Sequence, residues 1–143
     1  MRALGHPLHP ITIHAPLGLL LGSAAWDVLW VWQGPEPWAL LGRWTLLLGL
    51  IFALPAAGTG VVDYLALPAS RPIRRLAIVH LILALLAVAA YGTSLLFRWQ
   101  EASLALCLVP AGLGLLLLMA AGWFGGELVY GHGVGQRPSD EGG

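Results

Sequence analysis

The sequence predicts an all-α polytopic membrane protein whose four transmembrane helices form an up-down-up-down bundle. Three observations carry this. The chain has 143 residues, of which 58% are hydrophobic and 10% charged, whereas a soluble domain carries about 25% charged residues. Four apolar stretches each reach the roughly 20 residues that a spanning helix needs. The connections between them are short, and short connections force antiparallel neighbours.

In chain order, the expected helices cover about 10–32, 38–62, 72–98 and 102–126. The first has one acid, Asp27, near its far end, and the second has Arg43 near its start. The third is free of charge between Arg75 and Arg98, and the fourth is free of charge throughout. Pro10 and Pro72 suit first-turn positions, where a missing N–H costs nothing. Pro16, Pro55 and Pro110 fall inside and are expected to kink their helices. Residues 1–130 form one membrane domain, and 131–143 read as a flexible polar tail rich in glycine.

Composition narrows function by exclusion. Net charge is zero and the basic residues form no block, so nucleic-acid binding has no electrostatic support. The single Cys107 excludes an intrachain disulfide and a cysteine metal cluster. It reads as a small buried hydrophobe. The amino terminus lacks a basic region leading into an apolar stretch, so it does not read as a cleaved signal peptide.

Four spans put both termini on one side, termed the N-side. Arg2, Arg71, Arg74, Arg75 and Arg137 lie there, against Arg43 and Arg98 opposite. This distribution favours a cytoplasmic N-side. Trp26, Trp30, Trp32, Trp38, Trp44 and Trp99 map to the far half, as an interfacial aromatic belt.

All five histidines fall on the N-side. His6 and His9 stand just before the first helix, and His14 lies about one turn in. His80 is roughly two turns into the third helix, and His132 follows the fourth. His14 and His80 are expected roughly 6–12 Å below their helix starts, at about 1.5 Å per residue. Ionisable groups at such depth are rare and tend to be functional. Small residues run on from both: Gly18, Gly22 and Ala25 after His14, Ala84 and Ala87 after His80. They leave room for a flat macrocycle or for close helix contact.

Two neutral imidazoles from facing helices are a way to hold a b-type haem iron in a membrane bundle. His14 and His80 are therefore the expected axial ligands. His9, His132 and His6 are accessory or substitute ligands, and Arg71, Arg74 and Arg75 stand where propionates would need cations. Positive-inside signals or headgroup contacts also account for these arginines. Asp63 and Glu127 are placed to orient imidazoles, or to bind a hard metal directly. Asp27 is expected to pair with Arg43 or Arg98, or to face the headgroups. A faint repeat aligns His14-Ala15-Pro16-Leu17-Gly18 with His80-Leu81-Ile82-Leu83-Ala84. It would set the two histidines across a pseudo-twofold axis along the membrane normal.

Gly5-His6-Pro7-Leu8-His9-Pro10, then His14-Ala15-Pro16, and Gly125-Gly126-Glu127-Leu128-Val129-Tyr130-Gly131-His132-Gly133 together resemble a bacterial membrane family, domain of unknown function 2231. The resemblance spans nearly the whole chain. It implies a four-helix protein of the bacterial inner membrane with histidines at positions 6, 9, 14, 80 and 132. Some relatives carry Rieske-type iron–sulfur domains, which implies a redox setting. Ala15 departs from the aromatic residue that the family often has between this His and Pro.

The reading the sequence favours is a b-type haem protein for electron transfer. Its one-sided bis-histidine site would exchange electrons with quinol or with a Rieske or cytochrome partner, a role that a respiratory-complex subunit would fill. A transition-metal site for Zn, Fe or Mn built from the histidines with Asp63 and Glu127 is the alternative. A cofactor-free structural or assembly subunit is the third, and a homo-oligomer is compatible with each. No nucleophile–base pair or phosphate loop marks a stand-alone enzyme.

Overall fold

The computed structural model describes residues 2–3, 6–67 and 69–135. A minimal antiparallel ladder comes first, with β1 (Arg2–Ala3) set against β2 (His6–Pro7). The helices α1 (Leu8–Thr12), α2 (His14–Gln33), α3 (Trp38–Leu65), α4 (Arg71–Trp99) and α5 (Leu104–Gly126) follow. A single π-helical turn, Glu127–Gly131, continues from α5. Four of these helices are long and apolar enough to cross a membrane, as the sequence predicts. Residues 136–143, which hold Arg137 and most of the expected tail, lie outside the described residues.

The first span differs from expectation in one respect. It is interrupted at Ile13, yet helical hydrogen bonds cross the interruption, from Ile13 N to His9 O and from Leu17 N to Ile13 O. Proline explains the flaw. Pro16 has no N–H to give to the carbonyl of Thr12, so one rung is missing. Pro16 thus lies in the first turn of α2 and not in a helix interior. Pro55 and Pro110 do lie inside α3 and α5, which continue through them.

Each helix packs chiefly on its hairpin partner, α2 on α3 and α4 on α5. Small residues make up much of the interior, around a few large ones such as Leu20, Leu46 and Tyr91. Gly42, Gly49 and Ala56 are the buried small positions of α3, and Ala111, Gly114 and Ala121 those of α5. Large residues such as Val28, Leu54 and Val109 are at least 66% exposed. This arrangement suits a bilayer, where leucine gains nothing by hiding from lipid and close backbone approach supplies the packing.

The two hairpins repeat one pattern. Pro16, Leu20 and Ser23, the buried residues of α2, match Ala87, Tyr91 and Ser94 in α4. Gly42, Leu46, Gly49 and Ala56 of α3 match Cys107, Ala111, Gly114 and Ala121 of α5 at one constant spacing. Matched residues also meet each other. Tyr91 Oη donates to Leu20 O at 3.4 Å, and Arg98 pairs with Asp27, both across a separation of 71 residues. A pseudo-twofold axis therefore runs along the bundle between the hairpins. The faint repeat in the sequence is real in kind but misaligned, because the structure matches His80 with His9 and not with His14.

At the far end, Trp26 stacks on Trp38 at 5.8 Å, and Trp99 meets Trp44 edge-on while Arg43 lies over its ring at 5.0 Å. Asp27 finds Arg98, which settles its expected alternatives.

The packing makes a stability prediction. A Cβ at Gly114 would stand 2.9 Å from the buried Tyr91 ring, whereas a Cβ at Gly18 meets nothing within 4 Å. Gly114→Ala is expected to cost about 1–3 kcal/mol. Gly18→Ala should stay within about 0.5 kcal/mol of the parent. Thermal unfolding in detergent would distinguish the two.

Candidate functional site

At the N-side end of the axis, the rings of His9 and His80 face each other edge to face, with centroids 6.3 Å apart and planes at 84°. The matched hairpins hold them in matched ways. His9 donates from Nδ1 to the carbonyl of Ala56 on α3 at 2.9 Å. His80 donates from Nδ1 to the carbonyl of Ala121 on α5 at 2.8 Å. A carbonyl accepts only, so both Nδ1 atoms carry the proton. In a neutral ring this leaves Nε2 as the nitrogen with the free lone pair.

Glycines one turn beyond those carbonyls make room for the rings. A Cβ at Gly60 would stand 3.0 Å from Cε1 of His9, and one at Gly125 would stand 3.1 Å from Cε1 of His80. His9 has further support. Thr59 Oγ1 lies 3.4 Å from its Nδ1 and donates to Ala56 O at 3.0 Å. Thr12 Oγ1 lies 2.9 Å from Thr59 Oγ1 and donates to His9 O at 3.0 Å.

Below the pair lies a cavity of about 150 Å³. Its walls include Ala53, Ala57, Gly60, Ala84, Ala121 and Gly122. From the first span it is lined by His9, Ile13, Pro16, Leu17 and Leu20. These positions recur at three- and four-residue steps, so they share one helical face.

That phase corrects the expected partnership of His14 with His80. His14 follows Ile13 by one residue, about 100° around the helix. It is exposed and does not line the cavity. The other expected site residues disperse. His132 is exposed and keeps to its own turn, with Nδ1 at 3.3 Å from Glu127 O and 4.0 Å from Glu127 Oε1. Glu127 therefore neighbours His132. Arg71 and Arg75 are exposed. Arg74 donates to Leu67 O at 3.4 Å and lies 5.8 Å from the Tyr64 ring centroid. Asp63 is half-buried near the end of α3. The side chain of His6 lies outside the described residues.

The profile of a family described as predicted membrane protein, DUF2231, matches residues 5–138. The chain belongs to this family. No curated protein and no solved structure matches it. The DUF2231 profile covers both histidines of the pair and both glycines that seat them.

Sequence reading left out Ala56, Gly60 and Thr59. Their signal was present but quiet. Ala56 and Gly60 repeat the four-residue step of Ala121 and Gly125, one alanine carbonyl and one glycine for each imidazole.

The hydrogen bonds predict tautomers. With ring-labelled histidine, nitrogen NMR should show His9 and His80 protonated at Nδ1 in the cofactor-free protein. Protonation at Nε2 in either ring would contradict the arrangement.

Proposed function

We propose that this DUF2231 protein is a b-type haem protein for electron transfer, with His9 and His80 as axial ligands. The observation that carries the reading is the matched pair of imidazoles 6.3 Å apart on the pseudo-twofold axis. Were both Nε2 lone pairs directed at one metal, two metal–nitrogen bonds of about 2 Å and about 1 Å from each nitrogen to its ring centre would separate the centroids by about 6 Å.

The donor set supports haem over a bare ion. Among the described residues no group of three or more His, Cys, Asp or Glu could hold a metal. Zn prefers four ligands, and hard cations prefer about six. Haem brings four nitrogens of its own and asks the protein for two. Nδ1–H donation to a carbonyl fixes each ring and raises the basicity of its Nε2, as is usual for metal-bound histidine. The cavity admits only part of a macrocycle. Its volume is below the roughly 300–1,000 Å³ of sites that bury small cofactors. A bound macrocycle would extend into the seam between the hairpins, which is less closely packed than the hairpins themselves.

When bound, haem would supply one-electron exchange. The protein would hold it by the two imidazoles, line it with apolar residues and set its potential through burial. Arg71, Arg74 and Arg75 stand at the end where carboxylate substituents would emerge. A site near one face suits exchange with quinol, or with a Rieske or cytochrome partner docking there. We place the chain in the bacterial inner membrane with that face cytoplasmic, on the arginine distribution.

The protein purified in detergent after expression with haem supply should show a Soret band and sharp reduced α and β bands. His9→Ala and His80→Ala should each abolish the low-spin spectrum, and His14→Ala should leave it intact. A colourless parent protein, or full retention of the spectrum in both axial variants, would sink the proposal. Stoichiometric metal in a colourless protein would favour the bare-ion alternative.

A further inference from the structure

The far end of the axis carries two charges that the haem reading does not use. Asp27 and Arg98 occupy matched positions on the two hairpins. Arg98 Nη2 donates to both carboxylate oxygens at 2.7 and 2.8 Å, and the side chains are 2% and 13% exposed. Arg98 Nε donates to Ser94 Oγ at 3.1 Å, which in turn donates to Cys107 O at 2.6 Å. Arg98 also lies over the Trp30 ring at 5.5 Å.

Around this pair the symmetry is broken in a complementary way. Arg98 Nη1 lies where α3 has Gly42, and a Cβ there would stand 2.8 Å from that nitrogen. At the matched position α5 has Cys107. The shorter Asp27 leaves a cavity of about 170 Å³ beside Ser23, Tyr91 and Ala111. A long side chain thus has a glycine socket on one hairpin, and a short side chain leaves space on the other.

A buried ion pair is weak evidence for stability, because removing two charges from water is expensive. Fixing register and partner choice is its better-attested role. If either hairpin paired with a copy of itself, the axis would carry two carboxylates or two guanidiniums in a low-dielectric interior. Their repulsion would reject that pairing.

We propose that Asp27, Arg98 and the Gly42 socket form a recognition device. The surface each hairpin presents along the axis fits one kind of partner, a hairpin of the same fold bearing the opposite charge at the matched position. The chain is in effect an internal dimer with one permitted pairing. This concerns the opposite end of the axis from the histidines and holds whether or not they bind haem.

The test uses the full chain, read by size-exclusion chromatography and thermal unfolding in detergent. Asp27→Arg and Arg98→Asp should each lower the yield of monodisperse monomer by roughly tenfold or more. Two rescues are expected. Combining Asp27→Arg, Arg98→Asp, Gly42→Cys and Cys107→Gly exchanges the pair together with its socket. It should restore the yield to within about threefold of the parent. Separately, co-expressing the Asp27→Arg chain with a chain carrying Arg98→Asp and Cys107→Gly under different tags should yield a one-to-one complex, since each supplies the charge the other lacks and the second supplies the socket for the new arginine. Either rescue supports the proposal. Rescue in neither experiment, or full tolerance of both single reversals, overturns it.

Discussion

Close helix packing within two hairpins that meet along a shared axis is the constraint on which the rest of this structure depends. In hydrocarbon, burying leucine offers little, so association has to come from packing, hydrogen bonds and charge. Gly49 and Gly114 show what this requires. Each lies under a large residue of its hairpin partner, Leu20 and the Tyr91 ring respectively, at distances a Cβ would violate. With the glycines in place, Leu20, Leu46, Tyr91, Leu95 and Ala111 form one contiguous cluster at the middle of the axis. Most of the remaining bulk is turned toward lipid.

The same approach brings polar groups together where they can satisfy one another. An unpaired polar group in the membrane costs several kcal/mol, yet the axis holds polar contacts at both ends. Near the N-side, each imidazole gives its Nδ1 proton to a carbonyl of its own hairpin. At the far end, the guanidinium of Arg98 is shared among a carboxylate, a serine and an indole face. The two ends differ in an instructive way. The histidines are alike, and each is held through Nδ1 by an alanine carbonyl of its own hairpin. The charges are opposite, so the axis distinguishes one hairpin from the other. A near-symmetric fold thus carries a symmetric site and an asymmetric lock on a single line.

DUF2231 membership agrees with the four-helix architecture and leaves the chemistry to be argued from the site. Among the described residues the pair offers two imidazoles, too few for an ordinary zinc or iron site and sufficient for a metal that arrives with four ligands. Asp63 and Glu127 form no metal-holding group among those residues, and Glu127 neighbours His132 instead.

Much was legible in the chain itself. Hydrophobic length dictated four spans, because a helix must satisfy its own backbone across about 30 Å of hydrocarbon. Short connections dictated antiparallel neighbours, and the histidines were visibly confined to one end. Depth could also be counted, at a fixed rise per residue. Helical phase relative to a partner could not be read by inspection. His9, just before the predicted first helix, is expected to be accessory, and His14, deeper, to face inward. The packed face instead follows His9, Ile13, Pro16, Leu17 and Leu20, which turns His14 outward. Which carbonyl receives each imidazole depends on residues 47 and 41 positions away, and the glycine that seats each ring lies one helical turn further still. The choice of Arg98 over Arg43 for Asp27 likewise spans 71 residues. Sequence determined the elements and their order because those follow from local chemistry and chain length. Tertiary structure decided which side chains share the axis, because that is set by the rotation of one helix against another.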